Sequence, residues 1–370
     1  MTEKQVEYRE RPKTRGQPVP ELRILGRADH DEAFLTSLDE GGRSPAELFA
    51  GLAKALTGHG IEPISEKVYG GLDSRKRILE ARREAYAAAG LDPDSPVTFV
   101  DGAAPCGPAR AAVQIWGVRP GEGGSVRTVE GGRLWQQKGL RVLHLSAVHG
   151  DPNRTVSDQA RGMFEEAAAL AERNGFPFRR TVRTWIYLAR LLDWYGEFNR
   201  VRTSCYSRHD FPLPASTGIQ GKDGIHECFL DALLVDGWEV ARIDATARQG
   251  SASAYGSSFS RGVELRRGEA VTVHVSGTAS IDSGGNSVHL GDPSAQFLEM
   301  MLDVAAVLEG SGLGLVDIRQ ATLFCKDPAT YEACRQAISL LSLPAFPTIA
   351  VRADVCRPEL LVEMEAIAAR

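Results

Sequence analysis

The sequence predicts an α+β protein made of two similar units, each a mixed sheet with helices packed on one face, the N-terminal unit being the degenerate copy. Residues 140–216 and 271–353 present the same order of strand-like and helix-like segments, and several residues coincide when the two stretches are aligned. The coincident residues lie 130 to 137 positions apart. Loop insertions would cause such a drift, so the pattern indicates a diverged internal duplication, with chance similarity of two β-α-β segments as the alternative. The pairs are His144 and His274, Ser146 and Ser276, Gln159 and Gln296, Arg183 and Arg319, Tyr195 and Tyr331, and Phe211-Pro212 and Phe346-Pro347.

We expect three segments along the chain. Residues 1–20 are densely charged and poor in large apolar side chains, which predicts a disordered tail. Residues 21–245 are expected to form the N-terminal domain, and residues 246–370 the C-terminal domain. At 370 residues, with 43% apolar residues, the chain is long enough for two cores of ordinary size.

Start and stop signals place the elements of the first half. Ser44 followed by Pro45 and Glu47 is a capping pattern that begins a helix, with an apolar repeat behind it. Gly90 and Gly175 end two further helical patterns. The predicted elements are a strand at 22–25, helices at 44–56 and 73–89, strands between 96 and 118, a Gly-rich hairpin or loop at 121–132, a strand at 140–145, a helix at 157–174 and a strand at 181–189.

The second half gives clearer patterns of the same kind. Apolar and β-branched runs predict strands, and apolar residues at helical spacing predict helices. The predicted elements are strands at 271–279, 318–326 and 346–353, helices at 294–309 and 328–338, and a closing strand at 360–368.

Composition and charge exclude several classes of function. There are 43 basic and 48 acidic residues, a net charge of −5, and no basic run dense enough for a nucleic-acid surface. The chain has no apolar run of membrane length, its first residues are too charged for a secretory signal, and we expect a cytoplasmic protein. No metal-binding spacing, Walker loop or dinucleotide fingerprint is present, so no metal and no cofactor are expected. The six cysteines are expected to be reduced thiols: Cys106, Cys205, Cys228, Cys325, Cys334 and Cys356.

The closing strand carries two acids whose side chains face the same way. In a strand, side chains alternate between the two faces, so Glu363 and Glu365 share one side with Leu361 and Ile367. Two carboxylates on an otherwise apolar strand are costly to bury unless something uses or neutralises them. On periodicity alone, a solvated acidic edge strand and an active site are equally good interpretations.

The later half resembles a YjgF/RidA-type domain over about 120 residues. The resemblance rests on SGTAS (residues 276–280), on the helix that contains Gln296, on DIRQATLF (residues 317–324) and on LVEMEAIA (residues 361–368). One departure matters, because the imine-deaminating members have an arginine directly after the proline of the penultimate strand. Here Pro347 is followed by Thr348.

The chain as a whole resembles the chorismatases more specifically, over residues 20–370. Three motifs carry this resemblance: RTWIYLARLLDWYGEFNRVR (residues 183–202), AYGSSFSRG (residues 254–262) and ADVCRPELLVEMEA (residues 353–366). The family cleaves chorismate, a diacid with an enolpyruvyl ether, to pyruvate and either a hydroxybenzoate or a cyclohexadiene diol. The resemblance therefore implies a chorismate-cleaving hydrolase or lyase that needs no cofactor and supplies a starter unit for secondary metabolism.

The resemblance also implies roles for individual residues. Protonating an enol ether requires a carboxyl group that keeps its proton near neutral pH, and the family places its catalytic acid at Glu363. Glu365 is the second candidate acid, or the neighbour that holds the proton on Glu363. Cys356 stands where the hydroxybenzoate-forming members have a cysteine, although a buried structural thiol is an equal alternative. The residues expected to bind substrate are Tyr195, Arg202, Tyr255, Arg261, Ala279 and Glu365.

Two alternatives stay open at this point. One is a RidA-type imine or enamine deaminase, which Thr348 disfavours. The other is a non-catalytic protein of this fold that binds a small molecule. Cys356 favours 3-hydroxybenzoate as the product, whereas Ala279 is more typical of the diol-forming type. The expected partner is a small-molecule substrate, with no nucleic acid and no membrane, and the chain is expected to be a monomer or a small homo-oligomer.

Overall fold

The computed structural model describes residues 8–9, 20–39, 43–102, 104, 111–208 and 211–370, without the side chains of residues 8, 9 and 255. These residues form three six-stranded mixed sheets. Each sheet takes six consecutive strands of the chain, and all three sheets have the same strand order, 1-2-3-6-4-5 when the strands of each unit are numbered from its own start. The protein is therefore three copies of one topology, which we call the first, second and third units.

The first unit has the helix signals that the sequence predicts. Ser44 caps the first helix, its hydroxyl accepting from the Glu47 amide while the Glu47 carboxylate accepts from the Ser44 amide. The sheet order is β1-β2-β3-β6-β4-β5. The elements are β1 (Tyr8–Arg9), β2 (Glu21–Gly26), β3 (Asp31–Leu38), α1 (Pro45–His59), β4 (Glu62–Gly70), α2 (Arg75–Ala88), β5 (Thr98–Asp101) and β6 (Ala111–Arg119).

The second unit begins inside the segment that the sequence predicts to be a Gly-rich hairpin or loop. Two strands pair there as a hairpin, with Val129 opposite Gly132. The sheet order is β7-β8-β9-β12-β10-β11. The elements are β7 (Ser125–Val129), β8 (Gly132–Gln137), β9 (Leu140–His149), α3 (Val156–Arg173), β10 (Thr181–Leu188), α4 (Leu191–Arg208), β11 (Ala215–Gln220) and β12 (Cys228–Asp236).

The third unit contains the closing strand. The sheet order is β13-β14-β15-β18-β16-β17. Its last strand, β18, lies between β15 and β16, so the prediction of a solvated edge strand is wrong. The elements are β13 (Glu239–Ile243), β14 (Gly262–Arg267), β15 (Ala270–Ala279), α5 (Pro293–Glu309), β16 (Ile318–Cys325), α6 (Pro328–Leu340), β17 (Thr348–Arg352) and β18 (Val362–Ala369).

Each sheet has a core on both of its faces. In every unit the two helices pack on one face and bury a separate apolar cluster there. The opposite faces of the three sheets meet in one central cluster, to which Trp116, Tyr187 and Phe324 each contribute from a different unit. Because this cluster draws on all three units, it holds them together by apolar burial.

The α+β class with helices on one face of mixed sheets is confirmed, but the units number three instead of two. The division into domains at residues 245 and 246 stays a prediction, and the described residues before it form two whole sheets and β13. The expected disordered tail and Cys106 lie largely or wholly outside the described residues. The first unit escaped detection because its sequence no longer shares the matched residues of the other two units.

The duplication predicted from the sequence is confirmed by residues with the same role in two units. The side-chain Oε1 of Gln159 accepts from the Glu227 amide before β12, and the side-chain Oε1 of Gln296 accepts from the Leu361 amide before β18. His144 and His274 both hold the fifth position of their strands, where burial lowers the pKa of each imidazole to about 3. Both histidines therefore pack as neutral side chains at neutral pH.

Replacing Gln296 tests the anchoring of the segment before β18. The buried Gln296 side chain also donates to the carbonyl oxygens of His289 and Glu359. We expect Gln296→Ala to destabilise the protein by roughly 2–3 kcal/mol, because buried backbone groups lose their partners. Gln336→Ala, at an exposed position of α6, is the control and should change the urea midpoint little. Equal midpoints for the two variants would contradict the anchoring role.

Candidate active site

A cleft with a volume of about 170 Å³, open to solvent, lies between the second and third units. The second unit contributes residues of α4 and β11, and the third unit contributes residues of β15, of the loop before β14 and of the segment before β18. Six of the eight residues predicted from the sequence line this cleft. They are Tyr195, Arg202, Arg261, Ala279, Cys356 and Glu363.

Glu363 reaches the cleft from the middle of its sheet. It pairs with Ala279 on β15 and with Phe324 on β16, and its side chain is 4% exposed. Among the described residues, its carboxyl group has no hydrogen-bond or ion-pair partner. A Cβ atom at Gly277 would lie 2.1 Å from Glu363 Oε1. The glycine at this β-bulge therefore makes the room that the carboxyl group occupies.

Burial and a neighbouring charge keep this carboxyl group protonated. Burial, and then the negative charge of Glu365, raise the pKa of Glu363 to about 8, while Arg183 acts in the opposite direction. The group is therefore an acid that still holds its proton at neutral pH. With no protein acceptor for that proton, it can donate to a molecule bound in the cleft.

Glu365 lies two residues further along the same strand face but beside a different cavity. This central cavity is small, with a volume of about 30 Å³, and all three units line it. Glu365 Oε2 accepts from Arg183 Nη2 at 2.7 Å, and Glu365 Oε1 lies 4.0 Å from Lys67 Nζ. Glu365 is thus absent from the lining of the cleft, and its role as a substrate-binding residue stays a prediction. Its position suits the other role considered for it, a charged neighbour that holds the proton on Glu363.

The two predicted arginines are buried in the cleft wall. Arg202 is 1% exposed and Arg261 is 2% exposed. Arg202 Nη2 donates to Asn199 Oδ1 at 2.7 Å, whereas Arg202 Nε has no hydrogen-bond partner, and no acidic side chain among the described residues forms an ion pair with this arginine. Arg261 Nε and Nη2 both donate to the Gly250 carbonyl oxygen. A buried guanidinium group without an acidic partner indicates an anionic ligand.

The structure describes the side chain of Tyr195 but only the backbone of Tyr255. Tyr195 and Arg202 are seven positions apart on α4, two helical turns, so both side chains face the cleft. The Tyr195 ring stacks on Phe198, with centroids 6.2 Å apart. The backbone of Tyr255 ends a short 3₁₀ helix, Ala252–Tyr255, and its side chain lies outside the described residues.

Cys356 lies on the cleft wall as a neutral thiol. Burial, followed by the charge of Glu363, raises its pKa to about 12. The thiolate is the nucleophilic form, so this cysteine is not an activated nucleophile. Ala279, 3% exposed, faces the same cleft and pairs with Glu363. Cys356 and Ala279, the two residues expected to influence the product, thus both lie in the cleft wall near Glu363.

The corresponding positions of the other two units have no acid. By strand register, Glu363 of the third unit corresponds to Ala112 in the first unit and to Phe229 in the second. Its strand partner Ala279 corresponds to Leu38 in the first unit and to His149 in the second. In the second unit, β11 places Ser216 where the third unit has Thr348, and Ser216 lines the cleft. Neither residue is the arginine of a deaminase.

Sequence reasoning missed several residues around the acid. Arg357, Asn199 and Phe259 line the cleft, and all three stand inside motifs that the sequence already singled out. Gly277 stands inside SGTAS, another such motif. Lys67 gave no signal, because it belongs to the unit that the sequence did not reveal as a repeat.

Comparison with known proteins supports the resemblance seen in the motifs. Residues 252–370 match the family model described as endoribonuclease L-PSP. A 3-hydroxybenzoate synthase from Streptomyces hygroscopicus is 27% identical over 250 residues, which cover 58% of this chain and 71% of that protein. The 3-aminoacrylate deaminase RutC from Acinetobacter baylyi strain ADP1 is 28% identical over 97 residues, 26% of this chain and 77% of that protein.

A solved structure extends the likeness to nearly the whole fold. The crystal structure of a chorismatase superposes with a TM-score of 0.61 at 15% sequence identity, and the match covers 93% of this chain and 100% of that chain. Together with the relative from Streptomyces, this fold confirms the resemblance to the chorismatase family.

Two kinds of feature are absent from the described residues. No helix within the described part of the chain is both long and apolar enough to cross a membrane. In the same residues, no three His, Cys, Asp or Glu side chains are grouped so that they could hold a metal ion.

The raised pKa of Glu363 predicts how stability depends on pH. Between the usual value of 4.5 and about 8 the folded protein keeps this proton while the unfolded chain releases it. The folded state then binds more protons, so Glu363 makes the protein less stable as pH rises through this range. We expect the melting temperature of Glu363→Gln, relative to the parent protein, to increase from pH 5 to pH 8.

Glu332→Gln, at a half-exposed position on α6, is the matched control for this measurement. Its melting temperature relative to the parent should not change in the same way with pH. A Glu363→Gln difference that stays constant from pH 5 to pH 8 would show that the carboxyl group is already ionised at pH 5.

Proposed function

Because this chain resembles the chorismatase family in its motifs, in a relative and in its fold, we propose that it cleaves the enolpyruvyl ether of chorismate. One observation carries the proposal most directly. A buried carboxyl group with a pKa of about 8 and a buried arginine, Arg202, line the same cleft, and no acidic side chain among the described residues pairs with this arginine. Such a pair suits an anionic substrate whose reaction begins with a proton transfer.

Glu363 acts as the general acid in this proposal. Its proton is transferred to the methylene carbon of the enolpyruvyl group, which leaves an oxocarbenium-like centre at the ether carbon. On the route to the diol, water attacks that centre, and the bond between the former ether carbon and the ring oxygen then breaks to release pyruvate and the ring hydroxyl. On the route to 3-hydroxybenzoate, the neighbouring ring hydroxyl attacks that centre and loses its proton. The bond from its oxygen to the ring carbon and the original ether bond to pyruvate then break, so that this oxygen leaves in pyruvate, the other oxygen takes up a proton, and loss of one ring proton makes the ring aromatic. Neighbouring Glu365, held by Arg183 at 2.7 Å, keeps the acid protonated before the substrate binds.

The arginines and tyrosines hold the two carboxylates of the substrate. Arg202 offers a buried guanidinium group whose Nε has no hydrogen-bond partner in the part of the chain that the structure describes. Arg261 belongs to the third unit, on the other side of the cleft, and directly precedes β14. Tyr195 offers a hydroxyl group from α4, and Tyr255 is assigned the same role from the resemblance. Arginine suits this task because its planar group pairs with carboxylates in a defined geometry.

The product proposed is 3-hydroxybenzoate together with pyruvate. This route consumes no net water, since the two products contain all the atoms of chorismate, whereas the cyclohexadiene diol route adds one water molecule. A neutral thiol at Cys356, beside Glu363 in the cleft wall, is suited to keeping water away from the ring. The 3-hydroxybenzoate synthase among the relatives supports the same product. The aromatic acid would then serve as a starter unit in secondary metabolism.

The test is incubation of the purified protein with chorismate, followed by measurement of pyruvate and of the ultraviolet spectrum of the ring product. We expect pyruvate and an aromatic spectrum. Glu363→Gln should lower turnover by about 10²- to 10⁴-fold, the range for loss of a general acid. Glu332→Gln should keep full turnover, and circular dichroism should show that both variants are folded.

Each other outcome has a distinct meaning. Absence of pyruvate above background would overturn the proposed function. Pyruvate with a non-aromatic product would keep the cleavage and replace 3-hydroxybenzoate by the diol. Full turnover in Glu363→Gln would remove this residue from the role of acid.

A further inference from the structure

Phe259 contacts both of the buried arginines of the cleft. The Cζ atoms of Arg202 and Arg261 each lie 5.7 Å from the centroid of its ring. Arg202 comes from the second unit and Arg261 from the third, so one ring contacts an arginine of each unit where the two units meet. Phe259 itself lines the cleft and is partly exposed to it.

Two buried cations near one another need something that offsets their repulsion. An aromatic face attracts a guanidinium group through its quadrupole, and this attraction is strongest where water is excluded. Phe259 makes this contact with both cations at once.

The backbone around Phe259 is fixed by its neighbours in the chain. Ser258 Oγ hydrogen-bonds to Thr203 Oγ1 of α4 at 2.7 Å, and the Ser260 amide donates to the Pro214 carbonyl oxygen at 2.9 Å. Both partners belong to the second unit. The residues on each side of Phe259 thus tie this loop to the other unit, so the loop does not depend on the ring for its position.

We propose that Phe259 is a positioning residue that fixes the guanidinium groups of Arg202 and Arg261 against its ring and thereby makes the cleft select diacids over monoacids. The proposal rests on the proposed function for its substrate class, since chorismate is a diacid. It adds the reason for the selection: two carboxylates bind only where two cations are kept at a fixed separation, and one carboxylate uses only one of them.

The experiment compares Phe259→Leu, which removes the ring, with Phe259→Tyr, which keeps it. Calorimetry measures the binding of isophthalate, a rigid diacid, and of benzoate, the matching monoacid. We expect the parent and Phe259→Tyr to prefer isophthalate, and Phe259→Leu to lose about tenfold in that preference, the scale of a lost cation–π contact with a buried cation. Benzoate binding should change little.

Kinetics with chorismate provide the second measurement. We expect Phe259→Leu to raise KM about tenfold while kcat stays within about threefold, since the ring holds the binding groups and does not touch the proton transfer. Circular dichroism and the melting temperature check that the variant is folded. A general loss of structure would lower the fraction of active protein and so reduce kcat, which separates it from the predicted effect.

The outcomes distinguish this proposal from the proposed function. Equal losses for isophthalate and benzoate, or an unchanged preference in Phe259→Leu, would overturn the role of Phe259 even if chorismate is cleaved. A preference for isophthalate that depends on the ring, in a protein that releases no pyruvate from chorismate, would support the diacid site and overturn the cleavage reaction.

Discussion

The structure depends on the cost of burying two carboxyl groups on one face of a central strand. Glu363 is 4% exposed and Glu365 is 5% exposed. Two adjacent negative charges in such a place repel each other strongly, so one group keeps its proton. Glu365 is compensated by Arg183 at 2.7 Å and has Lys67 Nζ at 4.0 Å, whereas Glu363 has no partner among the described residues. Glu363, the group that faces the cleft, is therefore the one that keeps its proton.

All three units contribute to this arrangement, although only two of them form the cleft. The first unit provides Lys67, whose ammonium group lies 3.6 Å from the centroid of the Trp185 ring of the second unit. The second unit provides Arg183, which bonds to both Thr217 and Glu365. The chain thus repeats one topology three times and uses the repeats differently, with the acid present in one unit and replaced by alanine or phenylalanine in the other two. Loss of the acid from two units leaves one candidate active site in the described part of the chain.

The local sequence predicts which side chains of the site share a face. Which cavity each side chain reaches depends on how the three units pack. The alternation of side chains along a strand was enough to place Glu363 and Glu365 on one face. Tyr195 and Arg202 were predicted from the family resemblance, and the helix α4 that brings them together was not predicted. The sequence did not show that these two acids would face different cavities, because that depends on where a second sheet meets the face of β18. The first unit was missed for a related reason. What the three sheets share is strand order, while the residues that mark the duplication are retained in only two of them.

The most direct measurement of the central claim is the protonation state of Glu363 itself. Infrared difference spectra between the parent protein and Glu363→Gln isolate the carbonyl stretch of its protonated carboxyl group. The account predicts that this band is present at pH 6 and disappears as pH rises through about 8, and that it disappears at lower pH when Glu365 is replaced by glutamine. A parent protein without this band at pH 6 would have an ionised Glu363, and the account of this residue as the acid would be contradicted.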